Sequence, residues 1–288
     1  AVRVQQVAAA EALTSLEPKK QKLYSVESFD NPSAAPPNLI TLSMFDCKLS
    51  DGTILECPVS YQTQAIIRAD GVQEEIARLQ SHQLQQMNST YRALSIDPGL
   101  PAMRYFTATV DGMGGTFPGH GGMPEGYDPR NREWYKRAIT SDGEVVHTTP
   151  NIDASTLRIV VASVAPIYSP EGVLLGATGV DKSVIDVLHE ISIPREWKSE
   201  SFIRIVVPKG NKLNIIASQD MSDGPVDWNA SLQIEELFEE TKSFKQLMGH
   251  LLALDTGIMD YNDGAKELVV AFAPITGMHA SLMVSVPK

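Results

Sequence analysis

The segment Thr116 to Tyr135, TFPGHGGMPEGYDPRNREWY, holds the densest set of side chains able to do chemistry. Arg132 offers a planar, permanently charged fork of donors that suits a carboxylate in two-point geometry, so it marks an anion-binding end. Asp153 and Asp181 carry the opposite charge. They flank Leu157 to Tyr168 and Gly172 to Val180, which read as a hairpin across Ser169-Pro170-Glu171-Gly172, with Pro and Gly at the second and fourth positions of a type I turn. Antiparallel pairing puts both aspartates near one end of the sheet, a cation-binding end. Tyr127, Trp134 and Tyr135 supply rigid apolar walls with polar tips. One guanidinium and two carboxylates among aromatic walls fit a zwitterion.

Each of these residues also has an ordinary structural reading. Arg132 could be a surface partner of Asp128 or Glu133, an exposed pair contributing only ~0 to 1 kcal/mol. Asp181 could simply cap the helix expected after it, up to about Ile191. Asp153, in Asn-Ile-Asp-Ala-Ser-Thr, could be a turn residue. Trp134 and Tyr135 leave a regular helix on different sides, so at least one of them suits a core. A binding site accounts for the whole set better than independent coincidences do.

Other chemistry is poorly supported. His120-Gly121-Gly122 is like an esterase oxyanion loop, but the chain has no Gly-x-Ser-x-Gly nucleophile turn. Gly112, Gly114 and Gly115 do not form a dinucleotide-binding loop ahead of a helix. The histidines never fall four apart, and Cys47 and Cys57 lack a matching His pair, so neither a metal nor a cofactor is expected. The cysteines flank a turn signal at Ser50-Asp51-Gly52. They are either a disulfide, which requires an oxidising compartment, or two reduced thiols. With 24 Lys plus Arg against 35 Asp plus Glu, the formal charge of −11 repels phosphate backbones and anionic lipid, which excludes nucleic acid as a partner. A binding module, not an enzyme, is the expectation.

The elements that must position these residues follow from periodicity. At 288 residues and 43% hydrophobic content the chain is about two domains long. Residues 1 to about 25 read as an entry helix, with Val4, Val7, Ala8, Leu13 and Leu16 near helical spacing. A proline-rich connector follows over 31 to 39, and a second helix is expected from about Gly71 to Leu94, with Val72, Ile76, Leu79, Leu84 and Met87 as its stripe. From Met103 the period becomes two. Tyr105 to Val110 and Glu144 to Thr148 read as strands, while Asp128-Pro129 read as the cap and first-turn proline of a short helix. After Ile193-Pro194-Arg195 the order partly repeats, with strands near Phe202 to Val207, Leu213 to Ser218, Thr256 to Tyr261, Glu267 to Ala273 and Ala280 to Val286. A helix near Leu232 to Met248 lies among them. No stretch approaches the ~20 apolar residues of a membrane span. The start at Ala1 inside a helical pattern and the end at Lys288 right after a strand read as a soluble part of a larger protein.

Several pieces together resemble the double Cache family of extracytoplasmic sensor domains. They are Asp111-Gly112, Phe117-Pro118-Gly119, Tyr127 to Tyr135, Asp153-Ala154-Ser155-Thr156 and Gly176 to Asp181. The resemblance implies an α+β fold of two tandem PAS-like domains with antiparallel sheets behind an N-terminal helix. It divides the chain into that helix over 1–29, a ligand-binding membrane-distal domain over 30–193 and a membrane-proximal relay domain over 194–288. One subset of the family is similar to microbial amino-acid receptors, and it implies ligand roles for Tyr127, Arg132, Trp134, Tyr135 and Asp181, with Asp153 added by the family at large. Asn151 stands where an aromatic residue is often found, a departure that bears on ligand identity. The implied protein is membrane-anchored by flanking helices outside this sequence, senses a small molecule in the periplasm or outside the cell, and is allowed to form a homodimer. Small carboxylates or amines are alternative ligands. A structural dimerisation module without ligand is the alternative of another class.

Overall fold

In the computed structural model the described residues are 1–48, 53–96, 102–189, 201–218, 234, 241–262, 267–275 and 277–288. They form two compact units, Ala1–Thr148 with Asp153–Lys182, and Thr149–Ile152 with Ser183–Lys288. The fold is α+β, with antiparallel pairing in the sheets of both units.

The sheet of the first unit runs in the order Ala65–Arg68, Met113–Phe117, Arg104–Thr109, Leu174–Ser183, Ile159–Tyr168, Val146–His147. Strand alternation gives it two different faces. On one, Tyr105, Val180, Ala165 and Ile167 pack with Val2, Ala9 and Ala12 of the helix Val2–Thr14 and with Met87 and Tyr91 of the helix Met87–Ile96. On the other, Phe106, Ala108, Ala177, Ala162 and Val164 pack against Tyr135 and Ala138 of the helix Glu133–Ile139. Arg104 and Asp181 are directly paired across neighbouring strands, and Ala108 pairs with Ala177 and Phe106 with Gly179, so all six share this second face. Ser169 closes the hairpin between the two long strands by accepting from Gly172 N at 2.9 Å, as the Pro and Gly of its turn imply.

The sheet of the second unit runs Lys212–Ser218, Phe202–Lys209, Ala280–Pro287, Glu267–Ile275, Gly257–Asn262. Phe244, Leu247 and Leu251 of the helix Lys242–Leu252 pack on Val206, Leu213, Ile215, Val270, Phe272 and Met283. Thr241 caps that helix, its hydroxyl accepting from Phe244 N at 3.1 Å.

Several expectations are corrected here. The entry helix ends at Thr14, before Pro18, and its buried stripe is Val2, Gln5, Ala9 and Ala12, whereas Val4, Val7 and Leu16 are exposed. The helix expected over 71–94 is two, Glu74–Gln85 and Met87–Ile96, and Leu79 of its expected stripe is exposed. Asp181 does not end its strand or cap a helix: the strand continues to Ser183, and the helix Val184–His189 begins after it. The cysteine hairpin exists, but its register sets Leu55 across from Cys47, while Cys57 is a buried thiol donating toward Gly121 O at 3.8 Å. Ser50 to Gly52, Ile193 to Arg195 and the first part of the helix expected from Leu232 lie outside the described residues.

Gly179 is what lets the second face close. A Cβ there would fall 2.7 Å from Phe106 Cε2 and 2.7 Å from Val164 Cγ1. Gly179→Ala is expected to destabilise the protein by about 1–3 kcal/mol through overpacking, read as a lower midpoint in urea with an unchanged slope. A wild-type midpoint would show that Phe106 has room to move.

Candidate functional site

Asp153 opens the turn before the strand Ile159–Tyr168. Its N–H donates to Arg158 O at 2.9 Å, and its carbonyl accepts from Leu157 N at 3.1 Å. Its Oδ2 accepts from Ser155 N, Ser155 Oγ, Thr156 N and Thr156 Oγ1, at 3.2, 2.9, 2.7 and 2.7 Å. These bonds hold a turn tight enough to put Leu157, a bulky residue, at φ +58°. Arg104 bonds to both oxygens of the carboxylate: Nη1 donates to Oδ1, Nη2 to Oδ2 at 3.3 Å, and Nη2 also to Ser155 Oγ at 2.9 Å. Arg104 is 3% exposed and Asp153 5%. Burial works against both charges, but each charge, with the bonds from Thr156, more than offsets it. Asp153 is held far below the usual carboxylate range and Arg104 is raised.

Asp181 behaves differently. Paired with Arg104 across the ladder and itself buried, it accepts no side-chain hydrogen bond among the described residues. Burial pushes its carboxyl up to about 7; Arg104 and Arg132 pull it down, and Asp153 pushes it further up. This is an uncommitted carboxylate in a buried position facing two guanidinium groups.

The Tyr127 to Tyr135 segment covers the same face. Asp128 accepts from Arg130 N at 2.9 Å and starts the short 3-10 turn Pro129–Asn131, as Asp-Pro implies. Arg132 follows in extended geometry as the N-cap of the helix Glu133–Ile139. The Asp128 carboxylate is held by the Arg130 guanidinium at 2.8 Å, and Glu133 is 3.6 Å from Arg137. Arg132 instead acts electrostatically on Tyr127 and Asp181. The Trp134 indole donates to the Tyr127 hydroxyl, and its ring lies on Phe106 with centroids 4.6 Å apart. Tyr127 is raised chiefly by burial, with Arg132 opposing. Tyr135, one residue on and so about 100° around the helix, points elsewhere. It is buried in the core, and its hydroxyl feels Arg130, Asp111 and Asp128 rather than Arg132 or Asp181; burial raises it to about 12.

Thus Tyr127, Arg132, Trp134, Asp153 and Asp181 come together, while Tyr135 supports the helix from its other side. Two members were not assigned to this site from the sequence. Arg104 gave no local signal beyond being a charged residue at the start of an apolar strand. His120 is 1% exposed; its Nδ1–H donates to Gly121 O at 2.7 Å. Burial first, then Arg104, lowers its pKa to about 3, so it is neutral. A neighbouring cavity of about 480 Å³ shares Ser155 with this group but is lined by none of Tyr127, Arg132, Trp134 and Asp181. Among the described residues no group of three His, Cys, Asp or Glu side chains is placed to hold a metal ion, and no helix is long and apolar enough to cross a membrane.

Two buried groups give opposite pH slopes. Asp181 stays protonated in the folded state up to about pH 7 but ionises near 3.8 when unfolded, so its contribution falls as pH rises across that interval. His120 is neutral when folded but protonates near 6.5 when unfolded, so its contribution rises with pH from about 3 to 6.5. The two largely cancel in the wild type. Asp181→Asn is therefore expected to gain stability relative to wild type as pH rises from 4 to 7, measured as the difference of paired urea curves in roughly unit pH steps. A pH-independent difference would mean that Asp181 is ionised in the fold throughout.

No family model matches the chain. In sequence it is 34% identical over 74 residues to the methyl-accepting chemotaxis protein McpB of Bacillus subtilis, covering 26% of this chain and 11% of that protein. It is 25% identical over 158 residues to the methyl-accepting chemotaxis protein PscA of Pseudomonas syringae pv. tomato, covering 55% and 22%. The chain spans about a tenth of the length of the first curated relatives it matches. Similar solved structures include the ligand-binding domain of the Pseudomonas aeruginosa amino acid chemoreceptor PctB in complex with L-Arg, at 18% identity and TM-score 0.46, covering 69% of this chain and 78% of that one. The ligand-binding domain of the Pseudomonas fluorescens chemoreceptor CtaA in complex with L-alanine gives 21% and 0.47, covering 68% and 76%. The chain is similar in sequence to methyl-accepting chemotaxis proteins over part of its length.

Proposed function

We propose that this chain is the extracytoplasmic sensing part of a membrane-anchored receptor and that its first unit binds an amino acid. The observation that carries this reading is the buried, uncommitted carboxylate of Asp181 within the field of Arg132. Of the four buried or half-buried ionisable groups in the site, Arg104 and Asp153 bond to each other, while Arg132 supplies a positive pole and Asp181 a carboxyl that an incoming ammonium group ionises. A ligand with one carboxylate and one ammonium group answers both: Arg132 binds the carboxylate in a two-point geometry, and Asp181 accepts from the ammonium. Tyr127 and Trp134, bonded to each other, form a rigid wall beside them.

Binding, not turnover, is the role of these groups. Among the described residues none is placed as a nucleophile beside Asp181, and His120 is neutral and bonded to a backbone carbonyl, which suits packing better than proton transfer. Similarity to methyl-accepting chemotaxis proteins supports a sensory role, in which a ligand shifts the receptor between states by binding one of them more tightly. The second unit passes that shift toward the membrane.

The test is thermal unfolding of the dialysed protein against amino acids, simple carboxylates and amines. A ligand at 100 times its Kd adds about 2.7 kcal/mol to native stability. Amino acids are expected to raise the midpoint, and Arg132→Ala to weaken their binding by roughly 10- to 100-fold, the loss of a charge-assisted hydrogen bond. Equal shifts with acetate-like carboxylates would remove Asp181 from the ligand, and unchanged binding in Arg132→Ala would overturn the anion role.

A further inference from the structure

Arg104 and Asp181 are direct cross-strand partners on the same face, a spacing at which opposite charges ordinarily bond. Here they do not. The Arg104 guanidinium reaches to Asp153, 49 residues away, and to Ser155. Its Nε is buried without a partner among the described residues, so a donor is left over at this end of the site. Asp153 is engaged on both oxygens, with Oδ2 accepting four bonds from Ser155 and Thr156 and Oδ1 accepting from Arg104, so its charge is already answered within the protein.

We propose that Arg104 determines ligand class: by holding Asp153 it reduces the cation-binding end to the single carboxylate of Asp181 and sets a fixed positive charge beside it. The inference rests on the amino-acid reading above and narrows it. A ligand with one ammonium next to its carboxylate fits. A second ammonium close to the first meets the Arg104 guanidinium, finds no free carboxylate, and is rejected. Arg104 acts here as a positioning residue for Asp153 and as an electrostatic filter.

The probes are 2-aminobutyrate and 2,4-diaminobutyrate, equal in chain length and differing by one ammonium group, with Kd measured by calorimetry at neutral pH on the whole chain. Wild type is expected to favour 2-aminobutyrate by roughly tenfold or more, as a like charge a few ångströms away demands. Arg104→Gln, which releases Asp153 and removes the positive charge, is expected to abolish or reverse that preference, and Arg104→Lys to keep most of it. A residue with only a structural role would alter stability without altering this ratio. Equal affinity of the wild type for both probes overturns the proposal even if Arg104→Gln does not fold, and so does an unchanged ratio in a folded Arg104→Gln. Binding of neither probe, nor of any other amino acid, overturns the amino-acid reading itself and takes this inference down with it.

Discussion

A carboxylate removed from water must be paired, hydrogen-bonded or protonated, because an isolated buried charge costs far more than a small domain can spare. Asp153 and Asp181 meet that constraint in opposite ways on one face of one sheet. Asp153 collects two hydroxyls, two amides and a guanidinium and stays ionised; Asp181 collects none and is poised near pH 7. The difference comes from where Arg104 points. Had its guanidinium bonded to its cross-strand neighbour Asp181, the turn at Asp153 would keep its own bonds to Ser155 and Thr156, but the face would hold no uncommitted pole to recognise anything.

That face is available because the backbone periods separate two tasks. Period two in the Arg104–Thr109 and Leu174–Ser183 strands places Arg104, Phe106, Gly179 and Asp181 on one side and Tyr105, Thr107, Thr178 and Val180 on the other. The second side is bolted to the N-terminal helices. The first is covered by one short helix and the loop before it, which present Tyr127, Arg132 and Trp134. The small residues Ala177 and Gly179 matter as much as the charged ones, since they leave the volume that Phe106 and then Trp134 fill.

Much of this was legible in the sequence where the causes are local. Pro170 and Gly172 fix a turn whatever surrounds it, Asp128-Pro129 starts a helical turn, and alternation of apolar residues gives strands in both units. Where tertiary contacts decide, local reading failed. Asp181 has the side chain of a helix cap, but its backbone is captured by the ladder to Arg104. Gln5 looks like a solvated helix position and is fully buried, since Thr178 donates to it at 3.0 Å, whereas Val4 and Val7 look like core and are exposed. Arg104 was the most consequential omission. A single arginine in a strand resembles an edge or surface residue, and its meaning resides in a turn 49 residues later that no local pattern links to it. Trp134 and Tyr135, adjacent in sequence, divide between site and core because successive helical positions diverge by about 100°.

The polar chain on the opposite side of the sheet explains how an uncommitted carboxylate can be held still. Tyr91 Oη lies 2.6 Å from Thr107 Oγ1, which lies 2.8 Å from Thr178 Oγ1, and Thr178 in turn bonds to Gln5 and to Phe106 O. These groups are buried, and Tyr91 is pushed well above its ordinary value by that burial. A buried network of this kind fixes a strand in one register, because breaking any link strands a further polar atom away from water. Asp181 lies three residues beyond Thr178 on the same strand and inherits that rigidity without a hydrogen bond of its own. A binding group mounted on a strand locked from behind keeps its position when the ligand leaves, so little ordering cost falls on recognition. The stretch 121–126 in front, rich in glycine, has the irregular backbone to adapt to what arrives.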